Sequence, residues 1–107
     1  MTYLKDKIIF ATAGFFIGMI AVSLVITGKV QGVGFRYYVY RCAHQLNISG
    51  IAKNCSNGDV YIEAEANERE LYQFIGLCRI GPPGANVTAV DVGAISPKGY
   101  TDFQIIG

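Results

Sequence analysis

Residues 22–46 read VSLVITGKVQGVGFRYYVYRCAHQL, and the first half of the predicted fold can be read from this stretch. Its beginning is rich in β-branched residues and predicts a strand over 22–27. Three glycines follow within residues 28–34. Apolar residues then recur at helical spacing and predict a helix over 35–46. The glycines therefore lie where a first strand passes into a first helix.

A β-hairpin is predicted after this helix. Asn47 is expected to end the helix, and short strands over 48–53 and 60–66 flank the sequence CSNGD. The Asn57-Gly58 pair within it suits the positive φ values of a tight hairpin turn.

A second helix and the remaining strands follow the hairpin. Asn67 can cap this helix, with Glu70 three residues later as its capping-box partner. The GPPG sequence of residues 81–84 ends it, and strands are expected over 87–95 and 103–106. The order strand, helix, strand, strand, helix, strand predicts an α+β protein with two helices on one face of a mostly antiparallel sheet. This is the split βαβ or ferredoxin-like α/β sandwich.

Length and composition limit the class of protein. A chain of 107 residues fits one domain, and a hydrophobic content of 51% with a net charge of +1 argues against disorder and against a broad nucleic-acid surface. Cys42, Cys55 and Cys78 are odd in number and lack CxxC spacing, so reduced thiols are expected rather than a disulfide framework or a zinc site.

The N-terminal part contains the uncharged segment IIFATAGFFIGMIAVSLVI over residues 8–26. A helix of this length would measure about 28 Å and could span a bilayer. Gly14 and Gly18 also form a GxxxG pair of the kind found between membrane helices. The end of the segment alternates like a strand, however, and the dozen or so residues that then remain are too few to span.

We therefore divide the chain into an apolar N-terminal extension over residues 1–20 and a domain over 21–107. Three roles for the extension stay open at this point. Residues 8–20 could mediate packing or self-association, could anchor the protein to a membrane, or could belong to a cleaved signal.

The glycines of residues 28–34 also have a chemical implication. Glycine allows consecutive backbone N–H groups to turn inward, and next to a helix N-terminus such groups form a concave anion site. Arg36 would add a guanidinium group whose planar fork suits phosphate oxygens. The stretch matches neither the P-loop nor the GxGxxG pattern. A simple turn with a solvated arginine is the alternative interpretation.

Four blocks of the sequence resemble the acylphosphatase family, small enzymes that hydrolyse acyl phosphates to a carboxylate and inorganic phosphate. The blocks are GKVQGVGFR, GIAKNCSNGDV, RIGPPGANVTAVDV and GYTDFQI, within about residues 22–106. The resemblance implies a five-stranded sheet with two helices and an enzyme that uses neither metal nor other cofactor. Ile51 and Ala66 depart from the family pattern, which usually has an aromatic residue and a glycine there, and these departures concern local packing.

The resemblance also implies the site residues. It gives Arg36 a catalytic role in holding phosphate and Asn54 a catalytic role in positioning the attacking water, with no metal ligands. The implied phosphate-binding residues are Gln31, Gly32, Val33, Gly34, Phe35 and Arg36. Phosphoryl transfer depends mainly on positioning and charge stabilisation, and a carboxylate leaves without a general acid, so the absence of a catalytic triad is no objection. The alternative is a non-catalytic phosphate-binding or regulatory module.

Other reactive residues are assigned structural roles. His44 lies more than two helical turns beyond Arg36 and is expected on the helix surface rather than as a catalytic base. Asp59, Glu63 and Glu65 alternate with apolar residues and are expected to form the solvated face of the third strand rather than a metal cluster.

Location and partners are expected as follows. The x-[ST] pattern follows Asn47, Asn54 and Asn86, so a eukaryotic secretory route would glycosylate the water-positioning amide of Asn54. Acyl phosphates are intracellular metabolites, and both points favour a cytoplasmic protein, with membrane attachment as the alternative. The expected partners are a small-molecule acyl phosphate, and inorganic phosphate as product and inhibitor, but no nucleic acid.

Overall fold

The structure, a computed structural model, describes residues 19–107. These residues form β1 (Met19–Lys29), α1 (Phe35–Gln45), β2 (Ser49–Asn54), β3 (Val60–Asn67), α2 (Glu68–Ile80), β4 (Asn86–Ile95) and β5 (Phe103–Ile106). The predicted order of elements is confirmed.

Strand β1 begins three residues earlier than predicted, so the expected boundary at residue 20 falls inside it. The predictions for residues 8–18, including the GxxxG pair, lie outside the described residues. From residue 19 onward, neither helix has the length and apolar character needed to cross a bilayer.

The five strands form one sheet in the order β4-β1-β3-β2-β5. All neighbours are antiparallel except β2 and β5, which run parallel. Both helices contact the sheet and each other. The predicted ferredoxin-like α+β sandwich, with its mainly antiparallel sheet, is therefore confirmed.

The core lies between the sheet and the helices and follows from the sequence periodicity. Alternate residues of β3, which are Val60, Ile62, Ala64 and Ala66, are buried. They belong to one apolar cluster with the buried faces of α1 and α2. Complete burial of a large apolar side chain is worth about 1.5–3 kcal/mol, so this cluster is the main source of stability. The helix residues that it includes are Phe35, Val39, Cys42, Ala43, Leu71, Phe74, Ile75 and Cys78.

The opposite face of β3 differs from the prediction. Glu63 and Glu65 were expected in solvent, but they are only 5% and 3% exposed. The cause is the connection over residues 96–102, which we call the crossing segment. Strands β4 and β5 lie at opposite edges of the sheet, and residues of the segment that joins them bond to both carboxylates.

Hydrogen bonds fix the crossing segment to these two carboxylates. Glu63 accepts hydrogen bonds from the hydroxyls of Tyr61 and Tyr100, and the ammonium of Lys98 lies 2.9 Å from it. Glu65 accepts from the backbone N–H groups of Lys98 and Tyr100. The buried charges are thus satisfied, as buried carboxylates must be.

The turns partly match their predictions. Asn47 has a φ of 55° just after α1, which is the left-handed conformation that ends many helices, and its predicted role is confirmed. In the hairpin turn only Gly58 has a positive φ. Asn57 instead accepts a hydrogen bond from the N–H of Asp59 through its side-chain oxygen. The predicted positive φ is therefore found at Gly58 but not at Asn57.

The predicted capping box at the start of α2 is wrong. Asn67 occupies the N-cap position but makes no capping bond through its side chain. It is also the last residue of β3, paired with Met19, so the strand passes directly into the helix. Gly81 ends α2 as predicted.

The three cysteines lie within the described part of the chain and are free thiols, as predicted. Cys42 and Cys78 are buried, and burial raises the pKa of both thiols. They therefore stay protonated near neutrality and act as packing residues.

Candidate active site

A cleft of about 200 Å³ lies where the loop after β1, the start of α1, the end of β2 and strand β5 come together. Both predicted catalytic residues, Arg36 and Asn54, line it. The complete lining is Val30, Gly32, Gly34, Phe35, Arg36, Tyr37, Asn54 and Ile105. The volume is below the usual range for drug-sized ligands and suits a small anion.

The predicted phosphate-binding residues divide into two groups. Gly32, Gly34, Phe35 and Arg36 line the cleft, whereas Gln31 and Val33 are not part of its lining. Val33 packs instead against the apolar core.

The backbone of the loop explains its glycines. Gly32 and Gly34 both have a φ of 75°, which is the left-handed region that other residues rarely adopt. A Cβ atom built on either one would meet no atom within 4 Å. Glycine is therefore required by the backbone conformation and not by crowding, and the space beside the loop is open to a ligand.

The start of α1 favours an anion. Its N-cap is Gly34, which has no side chain to accept a bond from the first backbone N–H groups, and no acidic residue lies in the first turn. Phe35, only 2% exposed, fixes this helix end in the core. The first N–H groups of the helix, which no side chain caps, and the helix dipole together place positive potential where the helix lines the cleft.

Gln31 connects the loop to the hairpin. Its side-chain nitrogen donates to the backbone oxygens of Cys55 and Asp59, at 2.7 Å and 2.9 Å. Cys55 directly follows Asn54, so these bonds link the glycine loop to the residue next to the predicted water-positioning amide. Both N–H bonds of the side-chain amide are used in this way. The prediction that Gln31 binds phosphate therefore applies only to its backbone N–H group.

Arg36 is held by the end of the sheet. Its Nη1 donates to the backbone oxygens of Ile106 and Gly107, at 3.0 Å and 2.8 Å. A guanidinium group carries five N–H donors, so this anchoring leaves donors on Nη2 and Nε for an anion. The bonds of Nη1 thus fix the orientation of the planar group, and the donors on Nη2 and Nε are available for phosphate.

The sequence interpretation missed three cleft residues, Val30, Tyr37 and Ile105. Tyr37 directly follows Arg36, and the aromatic residues around that arginine were a usable signal. Ile105 had no local signal, because β5 reaches the cleft only through its parallel pairing with β2.

The residues that were assigned structural roles lie elsewhere. His44 is exposed and lines a different cavity, together with Asn47 and Asp102. Within residues 19–107, no three His, Cys, Asp or Glu side chains are grouped so that they could hold a metal ion.

Fold and cleft together define an α+β sandwich protein with a cleft at a helix N-terminus, lined by an arginine and an asparagine. The acylphosphatase family model matches residues 22–105. An acylphosphatase of Thermotoga petrophila is 44% identical over 87 residues, which cover 81% of this chain and 97% of that protein. The chain belongs to the acylphosphatase family.

Solved structures agree with this assignment. The crystal structure of an acylphosphatase from Bacillus subtilis matches with a TM-score of 0.80 and 35% identity, over 82% of this chain and 99% of that one. An acylphosphatase from Coxiella burnetii matches with a TM-score of 0.81 and 32% identity, over 83% and 94%. The protein is therefore an enzyme that hydrolyses acyl phosphates and releases inorganic phosphate, and the alternative of a non-catalytic phosphate-binding module is not favoured.

Proposed function

We propose that the cleft hydrolyses its acyl phosphate by direct in-line attack of water, with Arg36 holding the phosphate and Asn54 the water, and without a metal or other cofactor. One observation carries this proposal. Both residues line a single cleft at a helix N-terminus that has no side-chain cap.

The phosphate is bound by the loop and by Arg36. Backbone N–H groups over residues 31–36 surround its oxygens, and the free side of the guanidinium supplies the positive charge. In the transition state charge is spread over the equatorial phosphate oxygens, and groups that are already oriented stabilise it without reorganising. The bonds from Arg36 to Ile106 and Gly107 provide that orientation.

The attacking water is bound by Asn54. Its side chain is exposed at the end of β2 and has both a donor and an acceptor, so it can fix a water in line with the bond to be broken. An amide is no effective base, and the water proton therefore passes to the phosphate of the substrate. The hydrogen bonds of Gln31 to the neighbouring turn keep Asn54 at a fixed place relative to the loop.

The reaction balances with water alone. The water oxygen forms a new bond to phosphorus, and the bond from phosphorus to the acyl oxygen breaks. The electron pair of that bond leaves with the carboxylate, which is stable enough to need no protonation. Inorganic phosphate remains in the cleft, so we expect it to be a competitive inhibitor as well as a product.

We further propose that the enzyme works in the cytoplasm, where acyl phosphates are formed and where Asn54 is not glycosylated. The proposed domain includes Met19 and Ile20, because both belong to β1. For the preceding residues the three roles stay as proposed from the sequence, namely packing or self-association, membrane attachment, or part of a cleaved signal.

The test combines the wild type with an Asn54→Ala variant. Purified wild-type protein is assayed on an aryl-acyl phosphate with a chelator present, and hydrolysis is expected. Asn54→Ala should lower kcat by about 100-fold, because the positioned nucleophile is lost, and should change the Ki of inorganic phosphate by less than about twofold.

The matched control is Asn86→Ala, which removes an exposed asparagine at the start of β4, outside the cleft. It should leave kcat and Ki unchanged. An Asn54→Ala enzyme with wild-type turnover would refute the role of Asn54, and activity that disappears with the chelator would refute the metal-free mechanism.

A further inference from the structure

Two large apolar side chains stay exposed beside the charged part of the cleft. Tyr37 of α1 is 59% exposed and Ile105 of β5 is 42% exposed, and both line the cleft that contains Arg36 and Asn54. Burying such side chains would be favourable, because apolar surface gains free energy when it leaves water. Here they are available to a ligand instead.

The ring of Tyr37 is held in place although it is exposed. It stacks on Tyr40, one helical turn away, with ring centroids 6.2 Å apart and an interplanar angle of 17°. Tyr40 stacks in turn on His44 at 6.1 Å, and the guanidinium carbon of Arg41 lies 5.9 Å from the centroid of the Tyr37 ring. Residues three and four positions apart on a helix are neighbours, so the stacked rings of Tyr37, Tyr40 and His44 lie along one side of α1. A ring oriented in this way loses little entropy when it binds a partner.

Both side chains border the phosphate cradle. Tyr37 follows Arg36 in the chain, and Arg36 donates to Ile106, the neighbour of Ile105. In an acyl phosphate the acyl group is joined to phosphorus through one bridging oxygen. A phosphate bound by Arg36 would therefore carry its acyl group within the cleft that these two residues line.

We propose that Tyr37 and Ile105 form the binding site for the acyl group and that this site selects apolar, planar acyl groups, as in an aryl-acyl phosphate. The inference rests on the acyl phosphate hydrolysis proposed above. An aryl ring could stack with an offset on the ring of Tyr37. The methyl group of an acetyl phosphate is too small to make this stacking contact. The side chain of Ile105 would contact the same acyl group.

The experiment compares benzoyl phosphate with acetyl phosphate. Wild type should have the lower KM for benzoyl phosphate. Tyr37→Ala should raise this KM about tenfold, which corresponds to about 1.4 kcal/mol, and should change the KM for acetyl phosphate and the Ki of inorganic phosphate much less. Tyr37→Phe keeps the ring and should restore most of the preference. Ile80→Ala removes an isoleucine that is 72% exposed at the end of α2, outside the cleft, and is the matched control.

Each outcome decides the proposal. Equal increases in KM for both substrates in Tyr37→Ala, or a wild type with equal KM values, would overturn the acyl site and leave the hydrolytic function intact. A higher affinity for a succinyl-type phosphate than for benzoyl phosphate would also overturn it in favour of an anionic acyl group. A wild type that hydrolyses neither benzoyl nor acetyl phosphate would overturn the proposed function and the acyl site together.

Discussion

The two helices of the sandwich begin in opposite electrostatic environments. Helix α1 starts at Gly34 with no acidic residue in its first turn, and its beginning lines the cleft. Helix α2 starts after Asn67 with Glu68 and Glu70 in its first turn. Neither helix has a side-chain cap. At α2 the positive end of the helix dipole therefore interacts with carboxylates of the protein. At α1 no carboxylate of the first turn does so, and a bound anion could take that place.

The difference affects the stability of the two helix starts. A carboxylate in the first turn of a helix typically stabilises it by about 0.3–1 kcal/mol. Helix α1 lacks this contribution and has a glycine in a left-handed conformation at its start. Its stability comes instead from buried residues such as Phe35 and Val39. An apolar anchor therefore allows the end of the helix to remain open for an anion.

The largest kinetic effect is expected when the arginine at the start of α1 is removed, and the arginine at the start of α2 provides the comparison. Arg36→Ala should lower kcat/KM by at least about 100-fold. The reason is that the guanidinium charge expected to bind the phosphate is lost both in the ground state and in the transition state. Arg69→Ala removes an exposed arginine from the first turn of α2 and should have no kinetic effect. Steady-state kinetics and circular dichroism of both variants provide the measurement. Similar losses in both would mean that the two helix starts do not differ in function.

An intermediate effect is expected when α1 is given its own carboxylate. Gly34→Asp and Gly34→Asn place side chains of similar shape at the N-cap, and both residue types tolerate a positive φ better than others. The Asp carboxylate should compete with phosphate for the N–H groups and should raise the Ki of inorganic phosphate about tenfold more than Asn does. Titration of phosphate inhibition at low and high salt gives the comparison. Equal Ki values would argue against an anion site at this helix end.

The smallest effect is expected at α2. Glu70→Gln removes one carboxylate from the first turn and should lower the free energy of unfolding by about 0.5 kcal/mol at low ionic strength, with kcat and KM unchanged. Urea denaturation at two salt concentrations measures the difference, which should shrink as salt screens the dipole. A stability loss that does not depend on salt would instead assign Glu70 a packing role.

Most of the fold was predictable because local periodicity determines it. The alternation in β3 and the apolar stripe of α2 gave the right elements, since each depends on neighbours in the sequence. The burial of Glu63 and Glu65 was missed because the segment that covers them comes from more than thirty residues later in the chain. The capping bond of Asn67 is absent although its extended backbone suits an N-cap, and nothing in the structure explains this.

The core of the cleft, formed by the glycine loop and Arg36, was predictable for a similar reason. The glycine loop and Arg36 lie within a few residues of each other, so their sequence pattern already indicates an anion site. The neighbours of that core were not predictable. The oxygens that orient Arg36 come from residues 70 and 71 positions later, and Ile105 lies on the same distant strand.

The buried Glu63 also contributes to how the fold responds to acid. Burial alone would raise its pKa, but the hydrogen bonds from Tyr100 and Tyr61 and the charge of Lys98 outweigh burial and lower the pKa from 4.5 to about 2. A carboxyl group with a lowered pKa stabilises the folded state above its ordinary pKa and loses that contribution as the pH falls toward the lowered value. We therefore expect protonation of Glu63 to weaken its bonds to Lys98 and Tyr100 only as the pH falls from about 4.5 toward 2.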